Sequence, residues 1–347
     1  MTILDEVSAL TNAGSLLSRD GEIVASYDLE VSDVTAEGYR ALSAVQAIKN
    51  ANVAPFEVDY SCLTRVHVIN GMGVTLGDSI IGLTALAAIK RLHPGISFVI
   101  YRPSRAPAYV RQLYELAAPI FGAVVDLPVD VDSLPDDELR VDLGNHLFWP
   151  NFSTMPMIDF FLWALGIAPA DVGRDHKSND WLQRLALPAL SAEWSSKEYT
   201  LLCPTASTPV RSIPHSFRVE AVNSLWERFH VPVLGFGKVD HQHYTDIKSL
   251  STDTAAFIAW VKNARFVVTS DTAAVHIAAG FDVPTVAFFT TISSELRVRD
   301  YPSCKAINLP LPEIQGIQAS GRAGDLEIVD RAYQKLIASN WALHLCD

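Results

Sequence analysis

Three loops in this chain hold residue types that could do chemistry. One is Thr269-Ser270-Asp271-Thr272, set between an apolar run (Phe266, Val267, Val268) and a small-residue stretch that carries His276 and ends near Gly280. A second apolar run, Val283 to Phe289, follows. The pattern reads as strand, loop, helix, strand. Parallel sheets bind ligands at the carboxyl ends of their strands. A helix start there adds N–H donors and a positive dipole end, which suit a phosphate. Asp271 could cap the helix that begins near Thr272, or meet the ligand beside the Thr272 hydroxyl. His276 lies five residues past Asp271 and need not share its face. A lone histidine among alanines suits a buried hydrogen bond as well as a ligand contact.

The second loop is Asn70-Gly71-Met72-Gly73-Val74-Thr75-Leu76-Gly77-Asp78. Its glycines allow sharp turns and close backbone approach. It is a poor dinucleotide fingerprint, because Leu76 stands where the last glycine belongs, and Tyr101-Arg102-Pro103 stands where the ribose-binding acid belongs. No Gly-Lys-Ser/Thr follows, so it is not a Walker loop. Asp78 is either a helix N-cap or a general base at a glycine-lined cleft. The third loop, Thr205 to Pro214, offers the hydroxyls of Thr205, Ser207 and Thr208 beside Arg211. Arginine's planar donor fork fits a diphosphate. A solvated loop with capping hydroxyls is the plainer reading. Asp240-His241-Gln242-His243 could suggest a metal, but no third ligand is well spaced, so no metal site is expected.

These loops need rigid elements to hold them. From residue 63 the pattern alternates: strand Arg65–Asn70, helix Ser79–Arg91, strand Phe98–Tyr101, helix Tyr109–Ala117, strand Ala123–Leu127, then an irregular stretch to Phe152 and a helix near Met157–Leu165. Alternation of this kind predicts a parallel α/β sheet. Residues 186–198 read as a linker. A second α/β run covers strand Tyr199–Pro204, helix Phe217–Phe229, strand Val231–Phe236 and the Thr269–Phe289 unit. The sequence loosens over Tyr301–Asp325, and Leu326–Leu343 is an amphipathic helix. Residues 1–60 read as an acidic extension with one helix over Thr35–Asn50, suited to packing or to forming an oligomer.

At 347 residues the chain can hold two domains, and 49% apolar content supports sizeable cores. A net charge of −12 argues against broad nucleic-acid binding, while leaving room for a local basic pocket. The cysteines (Cys62, Cys203, Cys304, Cys346) form no C-x-x-C pair, which fits a reducing cytoplasm. No membrane span or secretory signal is legible, which leaves peripheral membrane association open, and Cys346 is not in a prenylation box.

With these loops in hand, the chain resembles the heptosyltransferase-type glycosyltransferases, family 9. The opening Gly77-Asp78 loop with Leu83-Thr84-Ala85-Leu86 and His93-Pro94-Gly95 resembles the family's first loop and helix. Cys203 to Pro214 resembles its second-domain loop, with Arg211 three before Pro214 in the place of the family's basic residue. Ser270-Asp271-Thr272 with His276, Ala278-Ala279 and Val283-Pro284-Thr285 resembles its Asp-Thr-Gly-x-x-His-x-Ala-Ala signature, Ala273 standing for the glycine.

The resemblance implies a GT-B fold, two Rossmann-like domains facing across a cleft. It places an acceptor domain over 61–185 and a donor domain over 199–325, with the helix of 326–347 packing back on the first domain. It implies inverting, metal-independent transfer of a sugar, such as a heptose, from a nucleoside-diphosphate donor. An ADP-linked donor is favoured, and the acceptor would be a glycan, lipid or protein hydroxyl. Asp78 would be the base and Arg211 would stabilise the leaving diphosphate. Gly77, Thr205, Ser207, Asp271, Thr272, Ala273 and His276 would line the donor site, with Asp240 near the nucleoside. Arg102, Arg105 and Arg111 are the basic residues available to an acceptor. A sugar-nucleotide epimerase of the same fold, or a nucleotide-sugar-binding protein without activity, are the alternatives.

Overall fold

The computed structural model describes residues 3–339 and 341–345; Met1, Thr2, Asn340, Cys346 and Asp347 lie outside it, and the reading of Cys346 with them. The chain divides into two compact units, Met1–Lys177 and Ser178–Asp347.

The first unit opens with α1 (Glu6–Leu10), β1 (Leu16–Leu17), β2 (Glu22–Val24), α2 (Ser26–Val31), β3 (Arg40–Ala41) and β4 (Ile48–Lys49). It continues with β5 (Arg65–Ile69), α3 (Leu76–Leu92), β6 (Ser97–Arg102), α4 (Ala108–Phe121), β7 (Gly122–Asp126), β8 (Val129–Asp130), β9 (Leu139–Asp142) and α5 (Met157–Ala164). Five strands form a parallel sheet in the order β4-β9-β5-β6-β7. Four short ones form an antiparallel sheet, β3-β1-β2-β8.

Successive strand residues point to opposite faces, and this alternation gives the parallel sheet two coats. Ile69, Val99, Tyr101 and Val125 pack with Leu17, Ile23, Leu42 and Ile48 of the first fifty residues. Helix α3 packs on α4 and α5. Residues 1–60 are therefore a layer of the first unit's core rather than an extension beside it. The helix expected over Thr35–Asn50 is absent. That stretch holds β3, a 3-10 turn over Leu42–Ala44, and β4, whose Ile48 pairs with Arg140. Leu42, Val45 and Ile48 recur every third residue and so look helical, but they reach one apolar cluster from a turn and a strand.

The second unit runs β10 (Thr200–Cys203), α6 (His215–Phe229), β11 (Val233–Gly235), β12 (Tyr244–Asp246), α7 (Thr254–Lys262), β13 (Phe266–Ser270), α8 (Ala273–Gly280), β14 (Thr285–Phe289), β15 (Cys304–Asn308) and α9 (Ala323–Ala338). Its six strands are parallel in the order β12-β11-β10-β13-β14-β15. Counted along the unit, that is the 3-2-1-4-5-6 order of doubly wound nucleotide-binding sheets. Strand β15 lies in the stretch that reads as loose. Only Ala306 and Ile307 are adjacent apolar residues there, and exposed Lys305 interrupts the pattern.

The stretch expected to be a linker has no regular strand or α-helix. It nonetheless anchors Trp194, 7% exposed, edge-on against Tyr199 and Trp260. Helix α9 is expected on the first domain. Instead its buried Val329 and Tyr333 join the core of the second unit, with Tyr333 5.0 Å from Phe217 and 5.4 Å from Phe288 between ring centres. Helical periodicity marks a buried face without saying which core receives it.

Candidate functional site

In the second unit the strand order reverses between β10 and β13. In doubly wound sheets the ligand crevice lies at such a reversal, at the carboxyl ends of the strands. Arg211 comes from the loop after β10 and Asp271 from the loop after β13. Arg211 Nη1 donates to Asp271 Oδ2 at 2.9 Å, and Nη2 donates to Ser207 Oγ at 2.6 Å. The pair is largely out of water, with side chains 17% and 7% exposed. Arg211 Nε is buried with no hydrogen-bond partner.

Thr272 is the N-cap of α8. Its Oγ1 accepts from the Ala274 N–H at 3.1 Å and lies 2.9 Å from Thr269 Oγ1. The cap role considered for Asp271 therefore falls to Thr272, and Asp271 is left to orient Arg211. Ala273 is the first residue of the helix, half-buried. His276 is elsewhere: 2% exposed, its Nδ1 lies 2.9 Å from the Tyr301 hydroxyl, and its carbonyl accepts from Asn179 at 2.8 Å. In the fourth position of α8 it turns into the unit's interior, away from the cap. Thr205 and Asp240 are exposed on the loops after β10 and β11. Of the His-x-His pair, His241 bonds Asn223 at 2.7 Å and His243 stacks on Trp226 at 3.6 Å between ring centres. Among the described residues no group of three His, Cys, Asp or Glu is arranged to hold a metal ion.

The first unit repeats this logic. Its sheet reverses between β5 and β9, and the loops leaving those strands are Asn70–Thr75 and Leu143–Phe148. Asn70, Met72 and Gly73 take φ of 47°, 64° and 66°. This left-handed run folds the glycine loop back on the start of α3. At Gly73 a Cβ would sit 2.7 Å from His146 Cε1, so only glycine leaves room for that ring. Met72 is fully buried and packs on Gly82 of α3, where a Cβ would fall 1.9 Å from Met72 Cγ. Arg102 donates to the carbonyls of Gly71 and Gly73, and its guanidinium lies 4.1 Å over the Tyr114 ring. Burial pulls the Arg102 pKa down from its ordinary value. Arg102 is thus a strut of the loop rather than a group offered to an acceptor, whereas Arg105 and Arg111 are exposed.

Asp78 stands in the first turn of α3, after Gly77. The N-cap is Thr75, whose Oγ1 accepts the Asp78 N–H at 3.4 Å, so the carboxylate is not the cap. Asp78 Oδ2 lies 3.5 Å from Nε2 of His146, a residue the sequence reading passed over. His146 follows β9, a four-residue strand inside a Pro- and Asp-rich stretch. The signal that could have found it is the alternation of Leu139-Arg140-Val141-Asp142 ahead of Gly144-Asn145-His146, a short strand running into a turn.

A model of glycosyltransferase family 9 (heptosyltransferase) matches residues 240–309. The matched stretch contains Asp271, Thr272, Ala273 and His276, and neither Asp78 nor Arg211. Among solved structures the chain is similar to an E. coli ADP-heptose LPS heptosyltransferase II at 13% identity, covering 79% of this chain and 99% of that one with a TM-score of 0.49. It is similar to a family 9 glycosyl transferase from Veillonella parvula at 13% identity, covering 82% and 99%, also with a TM-score of 0.49. A third is E. coli heptosyltransferase WaaC with ADP, at 14% identity, 78% and 99% coverage and a TM-score of 0.45. No curated protein matches the chain by sequence. Among the described residues no helix is long and apolar enough to cross a membrane.

Proposed function

We propose that this protein is an inverting glycosyltransferase that moves a sugar from a nucleoside-diphosphate donor to an acceptor hydroxyl. The observation that carries the reading is the Arg211–Asp271–Ser207 cluster beside the start of α8, where a doubly wound sheet reverses its order. Nucleotides bind at such reversals, and the family match spans the strand, cap and helix on one side of it. The family's description makes a heptose the first sugar to try, and the resemblance makes an ADP-linked donor the first nucleotide.

In this reading the second unit holds the donor and the first supplies the base. The acceptor oxygen attacks the anomeric carbon while its proton passes to Asp78. The bond from that carbon to the diphosphate oxygen breaks, and its electron pair leaves with the nucleoside diphosphate. Arg211 and the N–H groups at the start of α8 meet the charge that develops on the leaving group. Fixed donors aimed at developing charge are commonly the largest catalytic contribution. Asp271 and Ser207 hold the guanidinium in place before the donor arrives, so little reorganisation is needed at the transition state.

Replacing Asp78→Asn tests the base directly. Donor binding should persist while transfer falls by about 10²–10⁴-fold, the usual contribution of a general base. An Asn variant that turns over like the wild type removes Asp78 from the mechanism. Addition of EDTA should leave the transfer rate unchanged, since the leaving charge is met by protein groups; a rate that collapses and returns with a divalent cation would contradict this. Conversion of the donor with no acceptor present would point to an epimerase instead.

A further inference from the structure

The chemistry above leaves one neighbour of Asp78 unused. His146 Nε2 lies 3.5 Å from Asp78 Oδ2, within ion-pair range, yet neither ring nitrogen has a hydrogen-bond partner. The His146 side chain is 1% exposed and that of Asp78 17%. Phe152 and Phe161 wall the ring at 4.6 and 5.3 Å between centres, both edge-on. The bare Cα of Gly73 lets the ring edge reach the loop. Burying an imidazole without partners is costly, and the carboxylate across this short gap is the group that could repay it.

The loop that carries His146 is fixed from behind by the N-terminal layer. Asn145, at φ 50°, donates its side-chain N–H groups to the carbonyls of Leu10 at 2.9 Å and Asn12 at 2.8 Å. Asp142, the last residue of β9, accepts from Ser15 N at 2.8 Å and Ser15 Oγ at 2.7 Å. A ring held between aromatic walls on a loop tied at two points has little freedom to turn away from Asp78.

We infer that His146 is the positioning residue of the Asp78 base: its Nε2–H donates to one carboxylate oxygen and turns the other toward the acceptor hydroxyl. The role rests on the glycosyltransferase reading. The reverse assignment, with His146 as the base, is disfavoured because the imidazole is the more buried of the two.

Two measurements test the role. In ¹⁵N-edited spectra of the ligand-free protein, the His146 ring signal should move on Asp78→Asn and stay in place on Asp271→Asn. In transfer assays His146→Phe, which suits the aromatic walls, should lower kcat by about tenfold or more with the donor KM unchanged, the scale of loss that misplacing a catalytic group produces. His146→Gln, whose amide N–H falls near the Nε2 position, should recover part of that loss. A ring signal indifferent to Asp78→Asn, or wild-type turnover by His146→Phe, overturns the role. The spectra need no substrate, so they decide the pairing separately from whether the wild type transfers a sugar.

Discussion

Arg211 and Asp271 are mostly shielded from water, so neither can be changed without disturbing the other. Asp271→Asn removes a charge that Arg211 needs for its orientation, and it should weaken nucleoside-diphosphate binding by about tenfold, the value of one charge-assisted hydrogen bond. Calorimetry checks this, and unchanged affinity would mean that Arg211 needs no such anchor. Arg211→Lys should do no better than a deletion, because an ammonium cannot span Asp271 and Ser207 as the fork does. His276→Ala should behave differently. It removes a buried ring bonded to Tyr301, so stability should drop by about 1–3 kcal/mol in denaturant unfolding, with nucleotide affinity unchanged. A loss of affinity at equal stability would return His276 to the site. The sequence makes Asp271, Thr272 and Arg211 legible because each follows a strong strand and precedes a helix. It does not separate them from His276, because which side of an eight-residue, alanine-rich helix faces inward depends on the sheet beneath it.

Helix α3 shows how one element places a site, carrying Asp78 in its first turn and bracing the glycine loop further along. Its Gly82 has no room for a side chain, since Met72 of the glycine loop fills that space. Gly82→Ala should push Met72 and the loop behind it, costing about 1–3 kcal/mol as overpacking does and slowing transfer through displacement of Gly73 and Asp78. Met72→Ala in the same chain should recover part of the rate by making room, and no recovery would mean that the two residues act separately. The helices α3, α4 and α6 and the strands around them are plain in the sequence because each is long or strongly apolar. The short strands β4, β9 and β15 are not. Ile48 and Val141 belong to a parallel sheet only because partners far along the chain meet them. That nonlocal pairing also hides His146, which lies just beyond β9.

The whole molecule is acidic, yet each candidate site has a single arginine held by its neighbours, Arg102 as a strut of the glycine loop and Arg211 against Asp271 and Ser207. The two α/β halves are evident from alternation alone, whereas the use of the first fifty residues as a core layer is not, because apolar residues spaced in threes fit a helix as well as a turn and strand. Several acidic protons are also locked inside. Burial pushes the Cys203 thiol and the phenols of Tyr60, Tyr199, Tyr301 and Tyr333 upward, and the Cys304 thiol up to about 12. The unfolded chain releases these protons near their ordinary values, about 8.5 for a thiol and about 10 for a phenol. Between those values and the raised folded ones the unfolded state binds fewer protons, so stability falls as pH rises. Denaturant midpoints should be level near neutrality and decline steadily above about pH 9; level midpoints to pH 11 would contradict the packing described for both units.

The central claim, a nucleoside-diphosphate site built on Arg211 at the sheet reversal, is tested most directly by calorimetric titration of ADP into the wild type, Arg211→Ala and Asp78→Asn. The wild type should bind, Asp78→Asn should bind equally, and Arg211→Ala should bind about 10- to 100-fold more weakly, as loss of charge-assisted bonds predicts. Equal affinity in Arg211→Ala, or no uptake of ADP, GDP, UDP or dTDP by the wild type, would contradict it.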